Sequence, residues 1–142
     1  METLHATAVD IGGKAVLLRG PSGSGKSDLA LRLIDGGATL VADDRVTLSR
    51  QGADIMVGAP AAIAGRIEVR GLGIVRLPCA GQAPLRLVVD LVRQDGVERL
   101  PKAEETVLLG VAIPLMHLAP FEASAPAKLR LALRLAPQEI ER

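Results

Sequence analysis

The stretch GPSGSGKS, residues 20–27, constrains the fold of this chain more than any other feature of the sequence. It fits the pattern G-x-x-x-x-G-K-[ST], a phosphate-binding loop that connects a strand to a helix. The apolar run KAVLL precedes the stretch and the run DLALRLI follows it, so the flanking sequence predicts that same context. The sequence therefore predicts an α/β fold with an anion-binding loop.

Each residue type in this loop has a physical reason. Glycines at Gly20, Gly23 and Gly25 allow the backbone to curl so that its N–H groups point inward at phosphate oxygens. The positive end of the following helix adds to the same site. Lys26 is expected to reach the terminal phosphates, and the Ser27 hydroxyl to ligate Mg²⁺. The predicted nucleotide-binding residues are Gly20, Pro21, Ser22, Gly23, Ser24, Gly25, Lys26 and Ser27.

The segments around the loop predict many short strands and few helices. LHATAVDI and KAVLLRG, separated by a Gly-Gly turn, predict a hairpin, and KSDLALRLIDGG predicts a helix of about three turns. TLVADD reads as a buried strand that ends in two carboxylates, and VTLSR, DIMVGA and RIEVR predict further antiparallel strands. PLRLVVDLV predicts the strongest later strand, and TVLLGVAIPLMHLAP an extended segment.

The remaining segments are less regular. GLGIVRLPCAG is rich in turn residues, and RQDGVERLPKAEE predicts a surface loop. The tail PAKLRLALRLAPQEIER alternates as a strand would, yet its early proline and its good helix formers favour a helix. Since no repeat, low-complexity tract or linker is visible, we expect one domain over residues 1–142.

Composition limits the possible partners. The 17 Lys and Arg residues nearly balance the 16 Asp and Glu residues, which predicts no broad attraction to nucleic acid or acidic membranes. Phe121 is the one aromatic residue, so the core must be aliphatic. Cys79, the one cysteine, is expected to be a small buried hydrophobe. Without a secretory signal or a membrane-length apolar stretch, the cytoplasm is the expected compartment.

Acidic residues at strand ends are candidates for metal binding and proton transfer. Asp43 and Asp44 end the strand that follows the loop helix, where an α/β sheet places ligand-contacting residues. One is expected to hold the metal and the other to accept a proton, because adjacent strand residues face opposite sides. Asp90, which ends LRLVV, competes with this pair. The pattern alone leaves both alternatives open.

Three motifs in order, the phosphate loop, the VADD strand and the EVRGLG stretch, carry a family likeness. GPSGSGKSDLALRLIDGGATLVADDRV, followed by IEVRGLGIVRLP, resembles the catalytic domain of the bifunctional HPr kinase/phosphorylase family. These bacterial enzymes phosphorylate a serine of the phosphocarrier protein HPr. The resemblance covers about residues 4–101. It implies a compact P-loop domain related to phosphoenolpyruvate carboxykinase, with many short strands and few helices.

The resemblance also implies roles for particular residues. Asp44 is expected to be the base for the serine hydroxyl, which leaves Asp43 for the metal. Glu68 in IEVRGLG matches the family's other metal-associated carboxylate, and His5 matches a histidine near the active site. Arg99 in ERLP matches a catalytic arginine. The catalytic set expected from this resemblance is Lys26, Asp44, His5 and Arg99, and the metal set is Ser27, Asp43 and Glu68.

Two departures from the family pattern bear on activity. The family's later basic loop, which serves the phosphorylase reaction, falls near APFEASAPAK, where Glu122 replaces an expected lysine and Ala125 an expected basic residue. Lys128 would substitute only if the loop is shifted. We therefore expect kinase activity more than the reverse phosphorylase activity. It implies a short form with the catalytic domain only and a homo-oligomer, hexameric in the family.

These inferences combine into one hypothesis with two alternatives. We expect an ATP- and Mg²⁺-dependent protein-serine kinase that acts on HPr or an HPr-like carrier in phosphotransferase-system regulation. The first alternative is a P-loop kinase of a small metabolite. The second is a non-catalytic module that senses ATP.

Overall fold

The computed structural model describes residues 1–142 and contains eleven β-strands and two α-helices. The strands are β1 (Glu2–Leu4), β2 (Thr7–Ile11), β3 (Lys14–Arg19), β4 (Thr39–Ala42), β5 (Val46–Gln51), β6 (Asp54–Gly58), β7 (Arg66–Val69), β8 (Gly73–Arg76), β9 (Gln82–Leu91), β10 (Glu104–Leu108) and β11 (Val111–Leu118). The helices are α1 (Lys26–Asp35) and α2 (Ala125–Arg134). Neither helix has the length and hydropathy needed to cross a bilayer.

Strand β9 lies at the centre of a nine-stranded mixed sheet. It pairs in parallel with β3 on one side and with β11 on the other, and its first residues pair antiparallel with β6. Beyond β3 come β2 and then β4, while β6 leads outward to β5 and β1. Because β3, β9 and β11 are parallel, the loops that follow them meet at one edge of the sheet.

The core is aliphatic, as the composition predicts, and it forms two clusters on the two faces of the sheet. Alternation along β3 assigns Ala15 and Leu17 to one cluster and Val16 and Leu18 to the other. The second cluster also receives the buried faces of α1 and α2. Phe121 is 70% exposed and belongs to neither cluster. The sheet thus holds α1, and the loop before it, against a closely packed aliphatic layer.

Most predicted elements are confirmed. The Gly-Gly hairpin joins β2 to β3, the loop helix ends before Gly36, and the ambiguous tail forms α2. The segment predicted as extended is the antiparallel hairpin of β10 and β11. The predicted class, a P-loop α/β domain with many short strands and few helices, is confirmed.

Four local predictions need correction. The turn-rich segment contains β8, whose Ile74 is 70% exposed, so no buried apolar face marked it as a strand. The predicted surface loop ends earlier than expected, because Glu104 begins β10. Strand β4 ends at Ala42, before the two carboxylates. Cys79 is exposed, since only one isolated bridge ties its segment to β4.

Truncation of Leu33 is expected to destabilise the domain strongly. This side chain is fully buried where α1 packs on the sheet, and Leu33→Ala should lower the free energy of unfolding by about 2–5 kcal/mol. The matched control is Leu72→Ala, because Leu72 is 80% exposed and its truncation should cost about 0.5 kcal/mol or less. Urea unfolding of both variants measures the difference, and equal midpoints would contradict this packing.

Candidate nucleotide-binding and catalytic site

The glycine loop between β3 and α1 presents free backbone donors. Gly23 and Gly25 have φ angles of 82° and 101°, which side-chain-bearing residues rarely adopt. No side chain caps the start of α1, and the N–H groups of Ser22, Gly23 and Gly25 have no hydrogen-bond partner in the protein. Uncapped donors at a helix start form an anion site, so the loop fits a polyphosphate chain.

Lys26 lies across the same loop. Its side chain is buried with 8% exposure, and Nζ donates to the carbonyl oxygens of Gly20 at 2.6 Å and Pro21 at 3.0 Å. An ammonium group has three donors, so one remains for a phosphate oxygen. The buried Ser24 hydroxyl has no partner in the protein and is a further unused donor in the loop. These observations fit the predicted nucleotide-binding role of residues 20–27.

Asp43 is a buried carboxylate that accepts three hydrogen bonds. Its Oδ1 accepts from the Ser27 hydroxyl at 2.6 Å and from the Thr7 hydroxyl at 3.0 Å. Its Oδ2 accepts from the backbone N–H of Glu68 at 3.1 Å. Of the three residues predicted for the metal, the structure brings the Ser27 hydroxyl to the Asp43 carboxylate, whereas Glu68 meets Asp43 through its backbone N–H and not through its carboxylate.

This donor set fits Mg²⁺ bound together with phosphate. No group of three His, Cys, Asp or Glu side chains is close enough to form a metal cage. Mg²⁺ is usually held by one or two carboxylates together with substrate phosphates and water. Ser27 and Asp43, beside a loop of phosphate donors, provide the protein share of such a set.

The Asp44 carboxylate contacts a histidine, whereas the Asp43 carboxylate contacts Ser27 and Thr7. Its backbone is left-handed, with φ of 70°, and its N–H donates to the Thr7 hydroxyl at 3.4 Å. Its carboxylate Oδ1 lies 2.7 Å from His5 Nε2, and the two side chains are 65% and 50% exposed. The predicted divergence of the two carboxylates is correct. Its cause is this turn and not the alternation of a strand.

Most of the predicted site residues line one cleft of about 480 Å³. Its lining includes Lys26 and Ser27 from the loop helix and His5, Asp44 and Glu68 from three other segments. Phosphate donors, the Ser27 hydroxyl and an open carboxylate thus line one space, and the buried Asp43 carboxylate is hydrogen-bonded to Ser27 next to that lining. That arrangement is able to bind a polyphosphate and remove a proton from a hydroxyl group next to it.

Two predicted candidates lie elsewhere. Arg99 is exposed in the loop between β9 and β10 and is not part of the cleft lining. Asp90, the rival carboxylate, forms a two-bond pair with Arg19, in which Nε donates to Oδ1 at 2.7 Å and Nη2 to Oδ2 at 3.0 Å. The structure thus favours the Asp43 and Asp44 pair over Asp90, because Asp44 lines the cleft and Asp43 is hydrogen-bonded to Ser27 of its lining.

Sequence reasoning missed six residues of the cleft lining, among them the polar residues Arg70 and Thr7. Arg70 lines the cleft from the turn directly after β7, and the available signal was its place in the same EVRGLG stretch as Glu68. Thr7 also lines it and holds both neighbouring carboxylate residues in place through its hydroxyl. No local pattern singles out Thr7, because its partners are 36 and 37 positions away.

A domain in which a glycine-rich loop connects a parallel strand to an uncapped helix is a P-loop domain. A family model described as the HPr Serine kinase C-terminal domain matches residues 1–128. The chain is 42% identical over 129 residues to HPr kinase/phosphorylase of Azoarcus sp. (strain BH72), covering 82% of this chain and 41% of that protein. It is 43% identical over 122 residues to HPr kinase/phosphorylase of Burkholderia lata, covering 78% and 38%.

A solved structure agrees with these matches. The structure of the Hpr(Ser) kinase/phosphatase from Coxiella burnetii superposes with a TM-score of 0.84 and 26% identity, covering 94% of this chain and 95% of that chain. The chain therefore belongs to the HPr Serine kinase C-terminal domain family. It spans 41% and 38% of the lengths of the two curated relatives above.

Proposed function

We propose that this domain is an ATP- and Mg²⁺-dependent kinase that phosphorylates a serine of HPr or an HPr-like phosphocarrier protein, in phosphotransferase-system regulation. The observation that carries the proposal is the open Asp44 carboxylate in the same cleft as Lys26 and Ser27. The names of the curated relatives, HPr kinase/phosphorylase, support the choice of acceptor.

The residues of the cleft divide the reaction between them. Backbone donors of the loop and the Lys26 ammonium bind and orient the terminal phosphate, because phosphoryl transfer depends mainly on position and charge. Ser27 and Asp43 would hold Mg²⁺, which supplies neutralising charge to the phosphate oxygens. Glu68 and Arg70 line the same cleft, where the guanidinium would stabilise negative charge on the transferring group.

Asp44 acts on the acceptor. It takes the proton of the serine hydroxyl while the serine oxygen bonds to the terminal phosphorus, and the bond from that phosphorus to its bridging oxygen breaks to release ADP. His5, 2.7 Å from the carboxylate, keeps Asp44 oriented as a positioning residue. The proposed catalytic role of Arg99 stays a prediction, since this residue lies outside the cleft lining.

The kinase direction is favoured over phosphorolysis. Lys128 Nζ donates to Glu122 Oε2 at 2.7 Å, so the one lysine near the altered loop is neutralised by the residue that replaces the expected cation. Recruitment of inorganic phosphate requires free positive charge. We therefore propose that the reverse activity is weak.

Incubation of the full chain with ATP, Mg²⁺ and purified HPr tests the function. We expect phosphoserine on HPr by mass spectrometry, and none on an HPr variant in which alanine replaces the acceptor serine. Phosphate on a low-molecular-weight acceptor instead of HPr would favour the metabolite kinase. ATP binding without transfer to any acceptor would favour the sensing module.

The assembly and compartment are also proposals. We infer one catalytic domain over residues 1–142 that forms a homo-oligomer in the cytoplasm, with hexamers suggested by the family. Light scattering coupled to size exclusion measures the mass of the particle. A single species at the chain mass of 14.8 kDa would contradict the oligomer.

A further inference from the structure

A second cleft, of about 900 Å³, adjoins the glycine loop. It is lined by loop residues 21–24, by residues 91–96 at the end of β9 and after it, and by residues 119–122 after β11. In the sheet order, β9 lies on one side of β3, whereas β2 and β4 lie on the other. The second cleft therefore flanks the loop on the β9 side, and the Asp43 and Asp44 pair flanks it on the β4 side.

This placement allows the two clefts to bind different parts of one ligand. A nucleoside triphosphate has its reactive phosphate at one end and its base and ribose at the other. The terminal phosphate belongs beside Asp44, so the nucleoside must leave the loop in another direction. The space on the β9 side is formed by loops at the carboxyl ends of parallel strands, where α/β sheets bind ligands.

Phe121 stands at the junction of the two clefts. It lines both of them, and its ring is 70% exposed although it is the one aromatic side chain of the protein. A Cβ atom added to Gly25 would lie 2.9 Å from Phe121 Cζ, so the ring rests against the backbone of the phosphate loop. An aromatic face in this position is able to stack on a base whose phosphates occupy the loop.

The segment that carries Phe121 is held in place. The guanidinium of Arg32 on α1 donates to the carbonyl oxygens of Pro120 and Glu122, one on each side of Phe121. Arg32 Nε also donates to Asp28 Oδ2 at 3.1 Å in the first turn of the same helix. The backbone on both sides of Phe121 is therefore held by the helix that begins at the phosphate loop, which lowers the entropy cost of stacking.

The other side chains of the cleft supply polar groups. Gln94, Asp95 and Arg93 line it from the short turn after β9. Amide and carboxylate groups are the hydrogen-bond partners that ribose hydroxyls and base edges require. A ring for the base and polar groups around it are the usual components of a small-molecule pocket.

We propose that the second cleft is the nucleoside subsite and that Phe121 is the stacking surface for the base. The inference rests on the proposed function only in requiring that the loop binds a triphosphate. Stacking uses the π-face that every base has, so it adds affinity with little selectivity among bases.

Calorimetry with two ligands tests the subsite on the full chain in the presence of Mg²⁺. Phe121→Ala is expected to weaken ATP binding about 10-fold and to leave the affinity for inorganic tripolyphosphate unchanged. Leu100→Ala is the matched control, because Leu100 is 65% exposed and lines neither cleft. Equal weakening of both ligands by Phe121→Ala, or no weakening of either, would overturn the proposal.

A second variant gives a direct optical readout. The chain has no tryptophan, so Phe121→Trp introduces a single fluorescent reporter at the proposed stacking position. We expect ATP to change its emission, tripolyphosphate to leave it nearly unchanged, and ATP affinity to be retained. If the wild type binds tripolyphosphate as tightly as ATP, the proposed nucleoside subsite is refuted and the proposed function is not. If it binds neither ligand, the proposed function fails with it.

Discussion

Lys26→Ala is expected to lower kcat for HPr phosphorylation about 10³-fold, since charge stabilisation at a transferring phosphoryl group contributes this order of rate. The Nζ atom is the one buried cation of the cleft and reaches across the loop to the carbonyl oxygens of Gly20 and Pro21. Alanine removes the charge and leaves the glycine backbone in place. Steady-state kinetics with saturating ATP and HPr measure the loss.

Lys14→Ala is the control for this experiment, because Lys14 is exposed at the start of β3, away from the loop. It should keep nearly the full rate. Thermal unfolding of the Lys26 variant separates lost chemistry from lost structure, as two carbonyl oxygens lose their partner at a cost of about 1–3 kcal/mol. A folded Lys26→Ala domain with an unchanged rate would contradict the assignment of the loop.

Asp44→Asn is expected to lower kcat about 10²- to 10⁴-fold while ATP affinity stays the same, since general-base catalysis contributes rate of this order. Asparagine is the suitable replacement because Asp44 has φ of 70°, a backbone conformation that asparagine tolerates. The amide keeps the shape of the side chain and cannot take the serine proton. Phosphoserine formation and ATP calorimetry are measured on the same preparation.

Asp54→Asn provides the matched control for the base. Asp54 is a half-exposed aspartate on β6 that pairs with Arg86 at 2.9 Å and does not line the cleft. Its variant should phosphorylate HPr at the normal rate. Asp44→Asn with full activity, or with ATP binding lost in proportion to activity, would show that Asp44 is not the proposed base.

Much of the site was predictable because the phosphate loop is contiguous. Gly25, Lys26 and Ser27 are neighbours in the chain, so their order in the sequence also determines where they lie around the anion site. The short turn that joins β2 to β3 and the helix that follows the loop depend on contacts within a few residues. Such local geometry is set by glycine positions and apolar spacing, and the sequence carries both.

The choice among carboxylates could not be made from local pattern. Asp43 and Asp90 both follow apolar strand residues, yet Asp90 is neutralised by Arg19, 71 positions away. Asp43 is buried beside Ser27 because Thr7 and the backbone of Glu68 donate to it from other strands. A one-residue slip in strand register would turn these groups to the other face of the sheet. The family resemblance, and not the pattern, pointed to Asp44.

By itself, the sequence determined the phosphate loop, its helix and an aliphatic core, because these follow from backbone freedom and from spacing along a few residues. The tertiary structure alone decided which carboxylate stays open, that Arg70 enters the cleft while Arg99 stays outside its lining, and that Phe121 lies beside Gly25. Those juxtapositions depend on strand order and on loops that meet at one sheet edge. Contacts between distant segments are set by the packing of the whole sheet, which no short stretch of sequence encodes.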